Sequence, residues 1–210
     1  MLFRSSIDDD EEEFSWKDTL RDMGIGALII VLIMASVYVY TGNWPPIVVI
    51  ISSSMEHADD QSSVGVIDIG DIVMVKKVRS KDEVVSWAEG QREDYSTYGA
   101  SGDVIIYKKN GGRETPVIHR AVVWVDVYHK NPDDKYDVTF NVTELGLTDV
   151  TAFTIRDYPF FTGDGSVIEK DLKVNLSTTV TNFRQRGIEP HGGFLTKGDN
   201  NIYIDHMSRQ

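Results

Sequence analysis

The side chains here that could carry out covalent chemistry fall in three short segments. Ser54 lies in Ile51-Ser-Ser-Ser-Met-Glu-His57, and His119 lies in Pro116-Val-Ile-His-Arg-Ala-Val-Val-Trp124. Asp199 lies in Phe194-Leu-Thr-Lys-Gly-Asp-Asn-Asn201, with Asp205 six positions beyond it. A serine hydroxyl is a poor nucleophile until a base takes its proton, and a carboxylate must hold that base in the correct tautomer. One serine, one histidine and two aspartates are therefore the inventory that acyl transfer at neutral pH requires. Their order along the chain is no objection, because such triads are defined by geometry. Each segment also has a plainer reading. A serine-rich turn is commonly a linker, a strand histidine is commonly satisfied by a neighbour, and Gly-Asp-Asn favours turns. The five histidines, His57, His119, His129, His191 and His206, have no HExxH or similar spacing, so a metal has no positive support. There is no cysteine, which excludes disulfides, thiolate zinc sites and cysteine nucleophiles. No cofactor is expected.

The elements that must position these residues divide into a helix and a β-rich remainder. The first 22 residues are polar and include the run Asp8-Asp9-Asp10-Glu11-Glu12-Glu13, which reads as a solvated tail. From Met23 to Tyr40 every side chain is uncharged and most are aliphatic. That length is at the lower limit for crossing a hydrocarbon core of about 30 Å as a helix. Tyr38, Tyr40 and Trp44 suit a membrane–water interface. A cleaved signal would sit awkwardly behind the acidic leader and lacks a clear cleavage site, so an uncleaved anchor over 23–42 is expected. Lys17 and Arg21 flank its start, and no Lys or Arg follows until Lys76. The positive-inside rule then predicts a cytoplasmic N-terminus and an extracytoplasmic domain over 43–210.

Beyond the anchor, Asp71–Val78, Asp103–Lys109 and Pro116–Val127 are β-branched and aromatic, bounded by Gly, Asn or Pro, and read as strands. Shorter candidates lie near 136–142, 150–156 and 172–180. Ser80-Lys-Asp-Glu83, a capping-box pattern ahead of Val84, Val85, Trp87 and Ala88, predicts a short helix. The expected architecture is mainly β, an antiparallel sheet domain on a helical stalk. Apolar content of 41% and charged content of 26% suit a folded chain, and 210 residues less an anchor leave room for one sizeable core. The net charge of −12 argues against nucleic acid as a partner, because phosphate binding needs a basic surface.

Taken together in this order, the anchor, Ser52-Ser-Ser-Met55, Gly70-Asp-Ile-Val73, Gly102-Asp-Val-Ile105, Thr115-Pro-Val-Ile-His-Arg120 and Leu195-Thr-Lys-Gly-Asp-Asn-Asn201 resemble signal peptidase I of the archaeal and endoplasmic-reticulum type. The resemblance runs from about residue 24 to the C-terminus. Bacterial relatives use a lysine where this chain has His119 before Arg120, so the resemblance implies a Ser/His enzyme. It implies Ser54 as nucleophile, His119 as general base and Asp205 as the residue that orients the base. Asp199 is the second acid, either sharing that role or holding the site together. The Ser54 N–H and the Ser52 hydroxyl are the implied oxyanion donors. The implied substrate is the signal peptide of an exported preprotein, extended, with small residues at the first and third positions before the cut. Binding as an added strand would present alternate side chains to shallow pockets. Membrane lipid and the export machinery are the other implied partners.

Two departures stand out. The family usually has Pro after Ser-Met-x, and this chain has His57, expected to be a substitution at a turn rather than a rival base. The stretch from about Asp126 to Gly193 reads as an inserted β subregion without a functional motif, carrying the sequons Asn141-Val-Thr143 and Asn175-Leu-Ser177. Two other function classes fit the same residues: a membrane-tethered β-rich binding module whose polar motifs are turns, and a catalytically inactive scaffold of an export complex.

Overall fold

The computed structural model describes residues 15–58, 64–108 and 115–205. The acidic run lies outside the described residues. The first helix, α1 (Trp16–Thr41), starts earlier than the apolar stretch, taking in Lys17–Asp22, where Arg21 pairs with Asp18 one turn back at 3.1 Å. The polar leader therefore ends as helix rather than as tail. Gly42 closes α1 in the left-handed conformation, its N–H donating to Tyr38 O at 2.8 Å. With 26 residues the helix is about 39 Å long. It is long and apolar enough to cross a membrane, and among the described residues none of its apolar window is buried.

After α1 come two short antiparallel strands, β1 (Ile47–Val49) and β2 (Ile72–Met74), paired Ile47 to Met74 and Val49 to Ile72. All four of those side chains are exposed, so this ribbon after α1 carries an apolar outer face. Its inner face continues into a small core of Ile50, Met55 and Ile67, joined by Val73, Val104 and Ile118.

The short helix differs from expectation. Residues 81–83 make one 3-10 turn, and helix α2 (Trp87–Glu93) is capped by Ser86, whose Oγ accepts from Glu89 N at 3.1 Å. Asp103 explains the shift. Its carboxylate takes Val85 N–H at 2.9 Å and its own N–H donates to Val85 O at 2.7 Å, holding residue 85 extended. Gly102 permits this approach: its φ is +78°, and a Cβ there would lie 2.6 Å from the Ser86 carbonyl carbon. A tight hairpin, β3 (Ser96–Thr97) and β4 (Ala100–Ser101), precedes that glycine.

The central sheet has five antiparallel strands. β5 (Val104–Tyr107) pairs with the first part of β6 (Val117–His129), and β7 (Val138–Val142) pairs with its last part and then with β8 (Leu147–Val150). A long hairpin follows, β9 (Ala152–Phe161) with β10 (Val167–Asn175), then helix α3 (Leu176–Arg186) and β11 (Gly193–Lys197), which returns to the middle of β6. The strand expected over 172–180 stops at Asn175. That side chain caps α3 by accepting from Ser177 N at 3.1 Å, and a local cap of this kind ends a strand. The large core gathers Val122, Val123 and Val125 of β6 with Phe140, Val142, Ile155, Tyr158, Leu172 and Val174. β6 crosses residue 126 without interruption and the β9–β10 hairpin shares this core, so the 126–193 stretch is continuous with the sheet.

Candidate active site

Strand alternation decides the first division of labour. Successive side chains of a strand point to opposite faces, so His119 and Arg120, adjacent in β6, serve different sides of the sheet. On the His119 side, β5 places Tyr107 and β11 places Thr196, because Ile105 pairs with His119, Tyr107 with Val117 and Thr196 with Ala121. All converge on Asp205. His119 Nδ1 lies 2.7 Å from Asp205 Oδ2, Tyr107 donates to the same oxygen at 2.5 Å, and the Thr196 hydroxyl also donates to it. His119 is 5% exposed. Burial pushes the Asp205 carboxyl up, but the bond and charge of His119 with the two hydroxyls hold it below the usual carboxylate range. Burial and the Asp205 charge push the Tyr107 phenol up, so it stays a neutral donor.

With Nδ1 donating to Asp205, the lone pair of His119 sits on Nε2. Nε2 faces Asn201 Nδ2 at 3.4 Å. Ser54 occupies a 3-10 turn over Ser53–Met55, pinned by Ile50 before it and Met55 after it, both buried in the small core. The Ser54 turn and His119 meet at Gly198. A Cβ there would lie 2.5 Å from Ser54 O and 2.9 Å from His119 Nε2, so only glycine lets the two flank it. Asn200 fastens the turn: its N–H donates to Ser54 O at 3.0 Å and its side chain to Ser53 O at 3.2 Å. The Ser54 side chain is half-buried, and its hydroxyl lies 3.4 Å from Ser52 Oγ. Ser54 Oγ and His119 Nε2 make no direct hydrogen bond. Such contacts are often long without substrate and tighten on binding. The leading N–H groups of the turn, Ser54's among them, have no partner inside it.

On the opposite side of β6, Arg120 is fully buried and engages Asp199 through Nε at 2.9 Å and Nη2 at 2.7 Å. Its remaining donors fill a cup of carbonyls on the β3–β4 hairpin: Thr97, Tyr98, Ala100, Ser101 and Gly102, at 2.9 to 3.4 Å. Five fixed donors are what guanidinium offers and lysine does not. Asp199 also meets His57 Nε2 at 2.9 Å. Burial would raise this carboxyl, yet the bonds from His57 and Arg120 and the guanidinium charge keep it below the usual range. Beside it, Lys197 is buried with its ammonium over the Phe160 and Tyr158 rings, at 4.6 and 5.2 Å, and donates to Gly198 O and Asp199 O. Burial lowers its pKa to about 8.

Of the four residues singled out in the sequence, three therefore gather on one side: Ser54, His119 and Asp205. Asp199 belongs to the other side and touches Arg120 and His57, not His119. Sequence reasoning passed over Tyr107, Arg120, Thr196, Lys197 and Asn200. An arginine inside an apolar strand, and a lysine beside the Gly-Asp-Asn turn, were the available signals. Among the described residues, no three His, Asp or Glu side chains converge as a metal site. A cleft of about 460 Å³ beside β2, reaching Tyr98, includes none of Ser54, His119, Asp199 or Asp205. No family model, curated protein or solved structure matches this chain.

Proposed function

We propose that this chain is a membrane-bound serine endopeptidase of the signal peptidase I kind, removing N-terminal signal peptides from exported preproteins. The observation that carries the reading is the His119–Asp205 pair, with Nε2 of His119, which faces Asn201 Nδ2, turned to the glycine it shares with Ser54. In the reaction His119 Nε2 takes the Ser54 Oγ proton as Oγ attacks the scissile carbonyl. Asp205 holds Nδ1–H and stabilises the imidazolium that forms. The Ser54 N–H and the Ser52 hydroxyl receive the oxyanion, each such donor typically contributing about 2.7–4 kcal/mol. The imidazolium returns its proton to the leaving amine, and water then releases the acyl group by the same route in reverse. Helix α1 anchors the enzyme once in the cell membrane, N-terminus cytoplasmic and sheet domain outside, as Lys17 and Arg21 direct. The apolar face of the β1–β2 ribbon supports a working position at the membrane surface.

The test is cleavage of a preprotein by detergent-embedded enzyme, comparing wild type, Ser54→Ala and His119→Ala. Cleavage by wild type alone is the expected result. Equal behaviour of all three would sink the reading and favour a tethered binding module or an inactive scaffold.

A further inference from the structure

The His57 ring is packed by residues from three separate segments. One face stacks on Phe161 of the β9–β10 hairpin, ring centres 3.5 Å apart and 13° from parallel. Against the ring lies Gly99 of the β3–β4 turn, where a Cβ would fall 2.9 Å from Cε1 and 3.1 Å from Nδ1. The hairpin tip closes the rim, with Ala58 bridged to Asp164. Its side chain is 11% exposed, and Nε2 is spent on Asp199 Oδ2 at 2.9 Å. A histidine merely filling a turn needs none of this.

Asp199 is where the two halves of the site meet. From β6 it is gripped by Arg120, the residue after His119. From the other direction it is gripped by His57, three residues after Ser54. The next residue, Asn200, bonds Ser54 O and Ser53 O. The segments 53–57 and 199–200 are thus laced at three points, two by backbone-directed bonds of Asn200 and the third by the imidazole.

We infer that His57 is a positioning residue: it ties the Ser54 turn to Asp199 and so sets the separation between the Ser54 hydroxyl and His119. The catalytic part of this inference rests on the peptidase reading; the lacing does not. The role belongs to the donor on Nε2 and not to the ring as filler. A phenylalanine at 57 keeps the stack on Phe161 and removes the donor, whereas a glutamine places an amide N–H near the position of Nε2.

The experiment compares His57→Phe and His57→Gln with wild type in detergent. For His57→Phe, kcat is expected to fall about tenfold to a hundredfold with KM little changed, the scale of a small misplacement of reacting groups. His57→Gln is expected to recover most of that loss. Hydrogen exchange over 199–201 gives a reading independent of turnover: faster in His57→Phe, and close to wild type in His57→Gln. Wild-type kcat in His57→Phe, or equal exchange in both variants, would overturn the inference. A wild type that never cleaves, with the exchange contrast intact, would overturn the peptidase reading alone and uphold the lacing.

Discussion

Two histidine–aspartate pairs lie on opposite sides of one strand, and they are built differently. His119–Asp205 is ringed by neutral donors, the Tyr107 and Thr196 hydroxyls, with Asn201 facing the second ring nitrogen. His57–Asp199 shares its carboxylate with the fully buried Arg120. A carboxylate already matched to a guanidinium has its charge committed before any reaction starts. The pair with Nδ1 on the carboxylate and Nε2 across Gly198 from the Ser54 turn is the one proposed to accept and return a proton. On the proposed function one pair is machinery and the other is frame, although both read as the same residue types in sequence.

The sharpest way to separate them is to neutralise each acid. Asp205→Asn is expected to lower kcat by roughly 10⁴-fold while the fold survives, because an amide no longer selects the productive tautomer of His119. Preprotein cleavage and thermal unfolding, measured together, check this. Asp199→Asn is expected to act through stability, costing about 3–5 kcal/mol, since it strands a buried guanidinium. Denaturant unfolding reads that loss. An Asp199→Asn enzyme as stable as wild type, with catalysis gone, would reverse the assignment.

A smaller effect probes the point where the two sides touch. Gly198→Ala puts a methyl 2.5 Å from Ser54 O, 2.7 Å from Asn201 Nδ2 and 2.9 Å from His119 Nε2, so the groups around it must spread. A loss of about 10²-fold in kcat is expected. Unchanged turnover would mean that Ser54 and His119 do not work across this glycine.

The smallest expected effects are in pH. Both aspartates are held below their ordinary pKa in the folded state, so their contribution is present above about pH 4 and is lost as pH falls through the lower folded values. Acid unfolding of Asp199→Asn should therefore depend less steeply on pH in that range. Lys197 has the opposite sign. Its folded pKa of about 8 lies below its unfolded value, so the unfolded chain binds more protons above pH 8 and stability rises. From pH 8 to 10, wild type should gain about 1–2 kcal/mol relative to Lys197→Met by chemical denaturation. A difference that stays flat with pH would place the ammonium in water.

Much of this molecule was legible along the chain. The apolar run needed only its length and composition to indicate a helix able to cross a membrane, and β-branched runs located β2, β5, β6 and β7. Local chemistry misled where a stronger partner lay far away. Ser80 offered a cap, yet Asp103 held Val85 extended and moved the helix start to Ser86. Ser54, His119, Asp199 and Asp205 were visible as residue types, since a hydroxyl, an imidazole and carboxylates stand out in otherwise apolar or turn segments, while their roles were implied only by the resemblance.

Which acid faces which histidine was decided only by the tertiary structure. Strand alternation sends His119 and Arg120 to opposite sides, but the partner on each side comes from the return of β11 and the turn after it. Lys197, Gly198 and Asp199 reach β6 from more than seventy residues away in sequence, and no local preference encodes that meeting. His57 illustrates the same limit. Beside Ser54 it looked like a turn substitution, and only the arrival of Asp199, Phe161 and Gly99 from three separate segments gives it a task. Composition and periodicity act over a few residues, whereas the electrostatic match of a buried carboxylate is settled by whatever the folded chain brings within hydrogen-bond reach.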